Sequence, residues 1–148
     1  MTELASVPTR FGAAPQPLDA RAIEEIVAAW QARLGLSHWK ITVDWQNPAP
    51  PGDDGSETLA DINRTSVYEY ATIRVGPSWE TWDRRWANLT LVHELCHMLV
   101  CEVWPAVEPV EEFVPAAAWS MVKARFDHVE EQLVDRLASM LVANLGVV

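Results

Sequence analysis

Residues 89–101, LTLVHELCHMLVC, place two histidines and a glutamate in a run that is otherwise almost entirely apolar. Burying ionisable side chains costs free energy unless another group pairs with them or coordinates them. The run is typical of a buried helix, on which His93 and His97 stand one turn apart on the same face. The leucines around these histidines therefore favour a shared partner over simple exposure to solvent.

His93, Glu94 and His97 have the spacing H-E-x-x-H. Neutral imidazole nitrogens suit Zn²⁺, and two of them one helical turn apart can bind the same ion. Glu94 is offset by one residue, beside the position of a zinc-bound water, where it can accept the proton of that water. We therefore predict a zinc site with His93 and His97 as ligands and Glu94 as general base.

A third ligand has to come from another part of the chain. Residues 128–141, HVEEQLVDRLASML, offer Glu130 and Glu131 as candidates. Asp135 shares a helix face with Glu131 and can hold the ring N–H of a liganding histidine. Glu130 lies deeper in the apolar arc of the same helix, so spacing alone leaves both glutamates open.

The segment HELCH and, some thirty residues later, E-x-x-V-D-x-L-A resemble the two motifs of gluzincin peptidases. More narrowly, residues 20–145 resemble the minimal single-domain zincin-like metallopeptidases of phages and actinobacteria, which are similar to the peptidase domain of the ImmA/IrrE group. The resemblance implies that Glu131 is the third zinc ligand and that Asp135 supports a liganding histidine.

The same resemblance implies an α+β, zincin-like fold. A small three-stranded sheet, antiparallel or mixed, would pack on the H-E-x-x-H helix, together with an N-terminal helix and a long C-terminal helix. The residue pattern agrees, since three segments have the apolar–polar alternation of half-buried strands, the last two predicted to pair antiparallel. They are residues 39–45, 58–63 and 70–75.

A helix over about 20–34, capped by Asp19, is predicted before these strands. Residues 102–115 contain three prolines and four glutamates and are predicted to form an irregular loop. Pro115 suits a first helical position, so one long helix or two abutting helices are predicted to follow. Residues 1–17 are predicted to be a flexible tail, and residues 18–148 a single domain.

A peptidase also needs a hydrogen-bond donor for the oxyanion of the tetrahedral intermediate. The candidates are His128, one turn before Glu131, and the pair Tyr68 and Tyr70 at the start of the third strand. That strand, YATIRV, is expected at the sheet edge beside the site, where it would pair with an extended peptide.

Three tryptophans precede the H-E-x-x-H motif at spacings of three and four residues. Such a row can form an aromatic recognition stripe, but a seam that faces the core is the more common arrangement for aromatic residues at this spacing. We therefore predict core packing for all three. They are Trp79, Trp82 and Trp86.

The formal charge of −10 argues against nucleic acid and against an anionic membrane surface as partners. No apolar run approaches the length of a membrane span, and a signal-peptide pattern is absent. Cys96 and Cys101 lie five residues apart on one helix, a separation that does not allow a disulfide. We expect a cytoplasmic protein whose partner is a peptide or protein substrate.

Two functions fit this pattern. The first is a zinc-dependent metallopeptidase that hydrolyses peptide bonds with a metal-activated water and Glu94 as general base. A structural zinc site has no need of Glu94 and usually closes with a fourth protein ligand, which favours catalysis. The alternative is a catalytically weak or inactive zincin-fold module that binds or senses a partner protein, and the small size of the chain favours it.

Overall fold

The computed structural model of the protein describes residues 18–65 and 68–148. The predicted tail, residues 1–17, lies outside these residues. The described part is α+β, as expected. Its helices and strands are α1 (Ala20–Arg33), β1 (Lys40–Asp44), β2 (Ala60–Thr65), β3 (Tyr70–Val75), α2 (Arg84–Val100), α3 (Trp104–Val107) and α4 (Ala116–Leu145).

Helix α1 begins and ends as its sequence predicts. The side chain of Asp19 accepts a hydrogen bond of 2.8 Å from the backbone N–H of Ala22, which satisfies a donor at the helix start. Gly35 follows the helix with a φ of 72°, a conformation that favours glycine. The apolar face of α1 is buried in the core through Ile23, Ile26, Val27 and Trp30.

The sheet is mixed and has the strand order β1-β3-β2. Strand β2 pairs antiparallel with β3, with Ile62 opposite Ile73, which confirms the predicted pairing. Strand β1 pairs parallel with the other side of β3. The expectation that β3 forms the edge beside the site is therefore wrong, because both of its sides are paired; β2 is the edge strand there.

Helix α2 lies at the centre of the fold and contacts α1, β2 and α4. Three of its apolar side chains, Leu91, Val92 and Leu95, are fully buried. The side chains of β3 that face the helices, Ala71 and Ile73, are also fully buried. Because α2 is enclosed on several sides, its polar residues have few places to reach solvent, and they face either the cleft described below or buried partners.

The segment between α2 and α4 is more ordered than predicted. Residues 102–115 form 3₁₀ turns and the four-residue helix α3 instead of an irregular loop. Two of the prolines explain the difference, since Pro105 and Pro109 each stand at the second position of a short helix. A first helical turn does not need the missing N–H of proline, so these prolines start helices where they would interrupt longer ones.

Helix α4 is one continuous helix of 30 residues that follows Pro115 directly. It packs on α2 through Val134, Ala138 and Val142, which are at most 3% exposed. The two cysteines are free and buried, as expected. Among the helices of the described residues, none is both long enough and apolar enough to cross a membrane.

The three tryptophans do not form one seam. Trp82 is buried at 4% exposure, and Trp79 is half-buried against the core. Trp86, in contrast, is 46% exposed on the first turn of α2. The prediction fails because Trp79 belongs to a separate 3₁₀ turn, Trp79–Thr81, so the three residues do not share one helix.

Asn88 ties α2 to two other parts of the chain. Its side chain is fully buried, and its Oδ1 accepts hydrogen bonds of 2.6 Å from Trp30 Nε1 and 3.0 Å from the backbone N–H of Val148. Its Nδ2 donates to the carbonyl oxygen of Arg84 at 2.8 Å. This one amide therefore joins α1, α2 and the segment after α4.

Replacing Asn88 with alanine should destabilise the protein, because it leaves the Trp30 N–H buried without an acceptor. An unsatisfied buried donor costs about 1–3 kcal/mol, which corresponds to a fall in Tm of about 3–10 °C for a chain of this size. Thermal unfolding followed by circular dichroism measures this. Asn144→Ala, which removes an exposed amide, is the control and should leave the Tm nearly unchanged. Equal Tm values for both variants would contradict the role of Asn88.

Candidate metal centre

Helices α2 and α4 bring two histidines and a glutamate together. The Nε2 atoms of His93 and His97 lie 3.2 Å apart. Glu131 reaches in from α4, with one carboxylate oxygen 3.4 Å from His93 Nε2 and the other 3.4 Å from His97 Nε2. Each of the three residues offers one potential ligand atom to a common point.

These separations fit a single tetrahedral ion. Zinc binds histidine nitrogen and carboxylate oxygen at about 2.0–2.2 Å, so two ligand atoms of a tetrahedral site lie about 3.3–3.5 Å apart. The three observed separations of 3.2, 3.4 and 3.4 Å form a triangle of nearly this size. Three protein ligands would leave a fourth position open, which is typical of catalytic and not of structural zinc sites.

Both imidazole rings are oriented by carboxylates of α4. His93 Nδ1 lies 2.9 Å from an oxygen of Asp135, and His97 Nδ1 lies 3.0 Å from an oxygen of Glu130. An ionised carboxylate only accepts hydrogen bonds, so each Nδ1 carries the hydrogen and donates it. In the neutral rings the Nε2 atoms then present lone pairs to the shared point, as metal ligation requires.

This arrangement demands a positive charge between the ligands. Two imidazole lone pairs and a carboxylate otherwise face one another without a donor. Burial alone would lower the pKa of His93, but its contact with Glu131 and the charges of Glu94 and Asp135 outweigh burial and raise it. The contact with His93 lowers the pKa of the Glu131 carboxyl. A divalent cation meets the same demand with three coordinate bonds.

Glu94 is buried next to this cluster, with 6% of its surface exposed. Burial raises the pKa of Glu94 to about 8, and nearby Asp61 and Glu131 add to the effect while His93 opposes it. Among the residues that the structure describes, none forms a hydrogen bond with its carboxyl group. An acid with a pKa close to neutrality and no committed partner is suited to accept a proton and return it.

A cleft between β2, α2 and α4 gives access to the cluster. It has two adjoining cavities of about 420 Å³ and about 340 Å³, which share His93, Glu94 and Glu131 in their walls. The larger cavity continues along apolar side chains. They are Leu59, Trp86, Leu89 and Ala138. The smaller cavity continues past His97 to the polar residues Asp61 and Arg64 of β2.

The structure does not bring the three candidate oxyanion donors to the cluster. Tyr70 belongs to the face of β3 opposite α2, and its hydroxyl lies 3.1 Å from that of Thr42 on β1. Tyr68 is 79% exposed in the turn before β3, and His128 is exposed on α4. Within the described part of the chain, these three side chains make no hydrogen bond with His93 or His97.

Glu130 has a role that the spacing of residues did not reveal. As an alternative third ligand it competes with Glu131, but the structure places it against His97 Nδ1, where it orients the ring. A usable signal exists in hindsight. The histidines lie four residues apart and the carboxylates Glu130 and Asp135 five apart in the reverse order, as two antiparallel helices in contact require.

The chain matches no protein-family model, no curated protein and no solved structure. The geometry of the three ligands, their two carboxylate partners and Glu94 therefore carries the functional argument by itself.

We expect the purified protein to bind one zinc ion, and His97→Ala or Glu131→Ala to abolish stoichiometric binding because each removes a ligand. Glu130→Ala should keep the ion but bind it about 10–100-fold more weakly, since an orienting carboxylate tunes a ligand without replacing it. Metal analysis after dialysis and competition with a chelating dye measure both quantities. A variant that loses zinc on Glu130→Ala but keeps it on Glu131→Ala would reverse the two roles.

Proposed function

We propose that the chain is a zinc-dependent metallopeptidase with a zincin-like fold. The observation that supports this most strongly is the triangle of ligand atoms from His93, His97 and Glu131, with sides of 3.2–3.4 Å, beside the buried carboxyl group of Glu94. A structural zinc site needs no such acid next to it. The mixed sheet with α2 and α4 packed beside it agrees with the resemblance to small zincin-like peptidases.

The residues divide the work as follows. A zinc ion held by His93, His97 and Glu131 supplies Lewis-acid chemistry, which lowers the pKa of a bound water and polarises a carbonyl oxygen. Glu94 accepts the proton of the attacking water and later passes it to the leaving amine. Asp135 and Glu130 keep both rings in the tautomer that presents Nε2 to the ion.

Strand β2 provides a means to align the substrate. It is the edge strand beside the cleft, and Ala60 and Thr58 line both cavities next to His93 and Glu94. An extended peptide that adds to a sheet edge gains main-chain hydrogen bonds that do not depend on its sequence. Such pairing would hold the backbone of the substrate between β2 and the metal centre.

One observation favours the second candidate, a zincin-fold module that binds or senses a partner protein with little or no proteolysis. Oxyanion donors contribute a large part of the rate of acyl transfer. None of the three expected donors, His128, Tyr68 and Tyr70, is directed at the cluster in the described residues. A site that lacks such a donor would still bind zinc and a peptide strand while turning over slowly.

Glu94→Gln separates the two candidates because it keeps the shape of the side chain and removes the base. For the peptidase, the zinc-loaded variant should lose at least about 100-fold in the rate of cleavage of a peptide library, in line with the usual contribution of a general base. Its zinc content should equal that of wild type. Products are counted by mass spectrometry, with Glu24→Gln, outside the cleft, as the control.

If wild type and the Glu94→Gln variant cleave the library at the same rate, the residue is not the base and the peptidase proposal fails. If zinc-loaded wild type cleaves none of the peptides yet binds them, the binding module replaces the peptidase as the function of the site.

A further inference from the structure

Arg64 is a cationic side chain in the cleft that the proposed mechanism does not use. It is residue five of β2 and pairs in register with Ala71 of β3, which is fully buried beneath the helices. Arg64 therefore belongs to the face of the sheet that is turned towards α2. It is half-buried, whereas its neighbours Asn63 and Thr65 on the opposite face are exposed.

The guanidinium group shares a cavity with the metal centre. Arg64, Glu94, His97 and Glu131 line the same volume of about 340 Å³. Strands rise about 3.4 Å per residue, so Arg64 lies about 14 Å along β2 from Ala60, which borders the cluster. An extended peptide beside β2 has the same rise, and the long arginine side chain can therefore reach a group within about two to four residues of the bond at the metal centre.

Arg64 has no counter-ion in the described part of the chain, where it makes no hydrogen bond or ion pair. The nearest acid on the same strand is already engaged, because Asp61 holds Arg74 through two hydrogen bonds. This lack is notable in a protein whose acidic residues outnumber its basic ones by 21 to 11. A partly buried cation without a partner is costly unless a ligand supplies the opposite charge.

We propose that Arg64 forms a carboxylate-binding subsite, so that the cleft selects peptides with an acidic side chain or a terminal carboxylate on one side of the cleavage site. This rests on the proposed peptidase function. Arginine is suited to the task because its planar fork binds a carboxylate through two parallel hydrogen bonds. The surrounding acids, Glu94, Glu130 and Glu131, would repel an anionic peptide elsewhere in the cleft, which fixes the carboxylate at Arg64.

The test is a binding measurement that needs no turnover. Fluorescein-labelled octapeptides carrying one glutamate at successive positions, each with a glutamine twin, are titrated into the zinc-loaded Glu94→Gln protein and followed by anisotropy. We expect one glutamate position to bind about tenfold or more tightly than its glutamine twin, the usual range for a hydrogen-bonded charge pair. Adding Arg64→Gln should bring the ratio close to one, and Arg64→Lys should restore part of it.

Arg85→Gln removes the same charge from an exposed position of α2 outside the cleft walls and is the matched control. It should leave the glutamate preference intact, as should the Tm of each variant if folding is unchanged. Equal affinities for all glutamate and glutamine twins, or binding of neither, would overturn the subsite. A preference that follows Arg64 in a wild-type protein that cleaves nothing would keep the subsite and reject the peptidase.

Discussion

The two carboxylate–imidazole contacts between α4 and α2 are the interactions on which the site depends. Asp135 lies 2.9 Å from His93 Nδ1, and Glu130 lies 3.0 Å from His97 Nδ1. Each contact fixes the tautomer of its ring and turns the free nitrogen towards Glu131. The same contacts join the two helices, so that the packing of α4 and the orientation of the rings are set together.

The site places unfavourable groups close together at the centre of the fold. Glu94 is buried with a pKa raised to about 8, and three further carboxylates surround two imidazoles. Apolar packing elsewhere, from Trp30 through Leu91 to Val134, supplies the stability that the polar cluster does not. Because the ligands come from helices distant in sequence, a metal ion bound there would also stabilise the contact between α2 and α4.

Much of this architecture follows from local sequence rules. The cap at Asp19, the alternation of the three strands and the helical spacing of His93 and His97 depend on near neighbours, and the structure has all three features. The continuous helix α4 also follows from its uninterrupted sequence after Pro115. In each case the residues that decide the structure lie within a few positions of one another.

The features that the sequence did not predict depend on how distant elements meet. Strand β3 is central because β1 pairs on its far side, which no pattern within YATIRV can show. The same placement turns Tyr70 away from the metal centre, and the crossing of α2 and α4 decides that Glu130 orients a ring while Glu131 faces both Nε2 atoms.

The central claim, that His93, His97 and Glu131 hold one divalent ion, is tested most directly by X-ray absorption at the zinc edge on protein loaded with one equivalent of metal. The account predicts a shell of nitrogen and oxygen at about 2.0–2.2 Å that includes two imidazoles. A zinc–sulfur distance of about 2.3 Å, which would point to Cys96 or Cys101, or a shell without imidazole would contradict it.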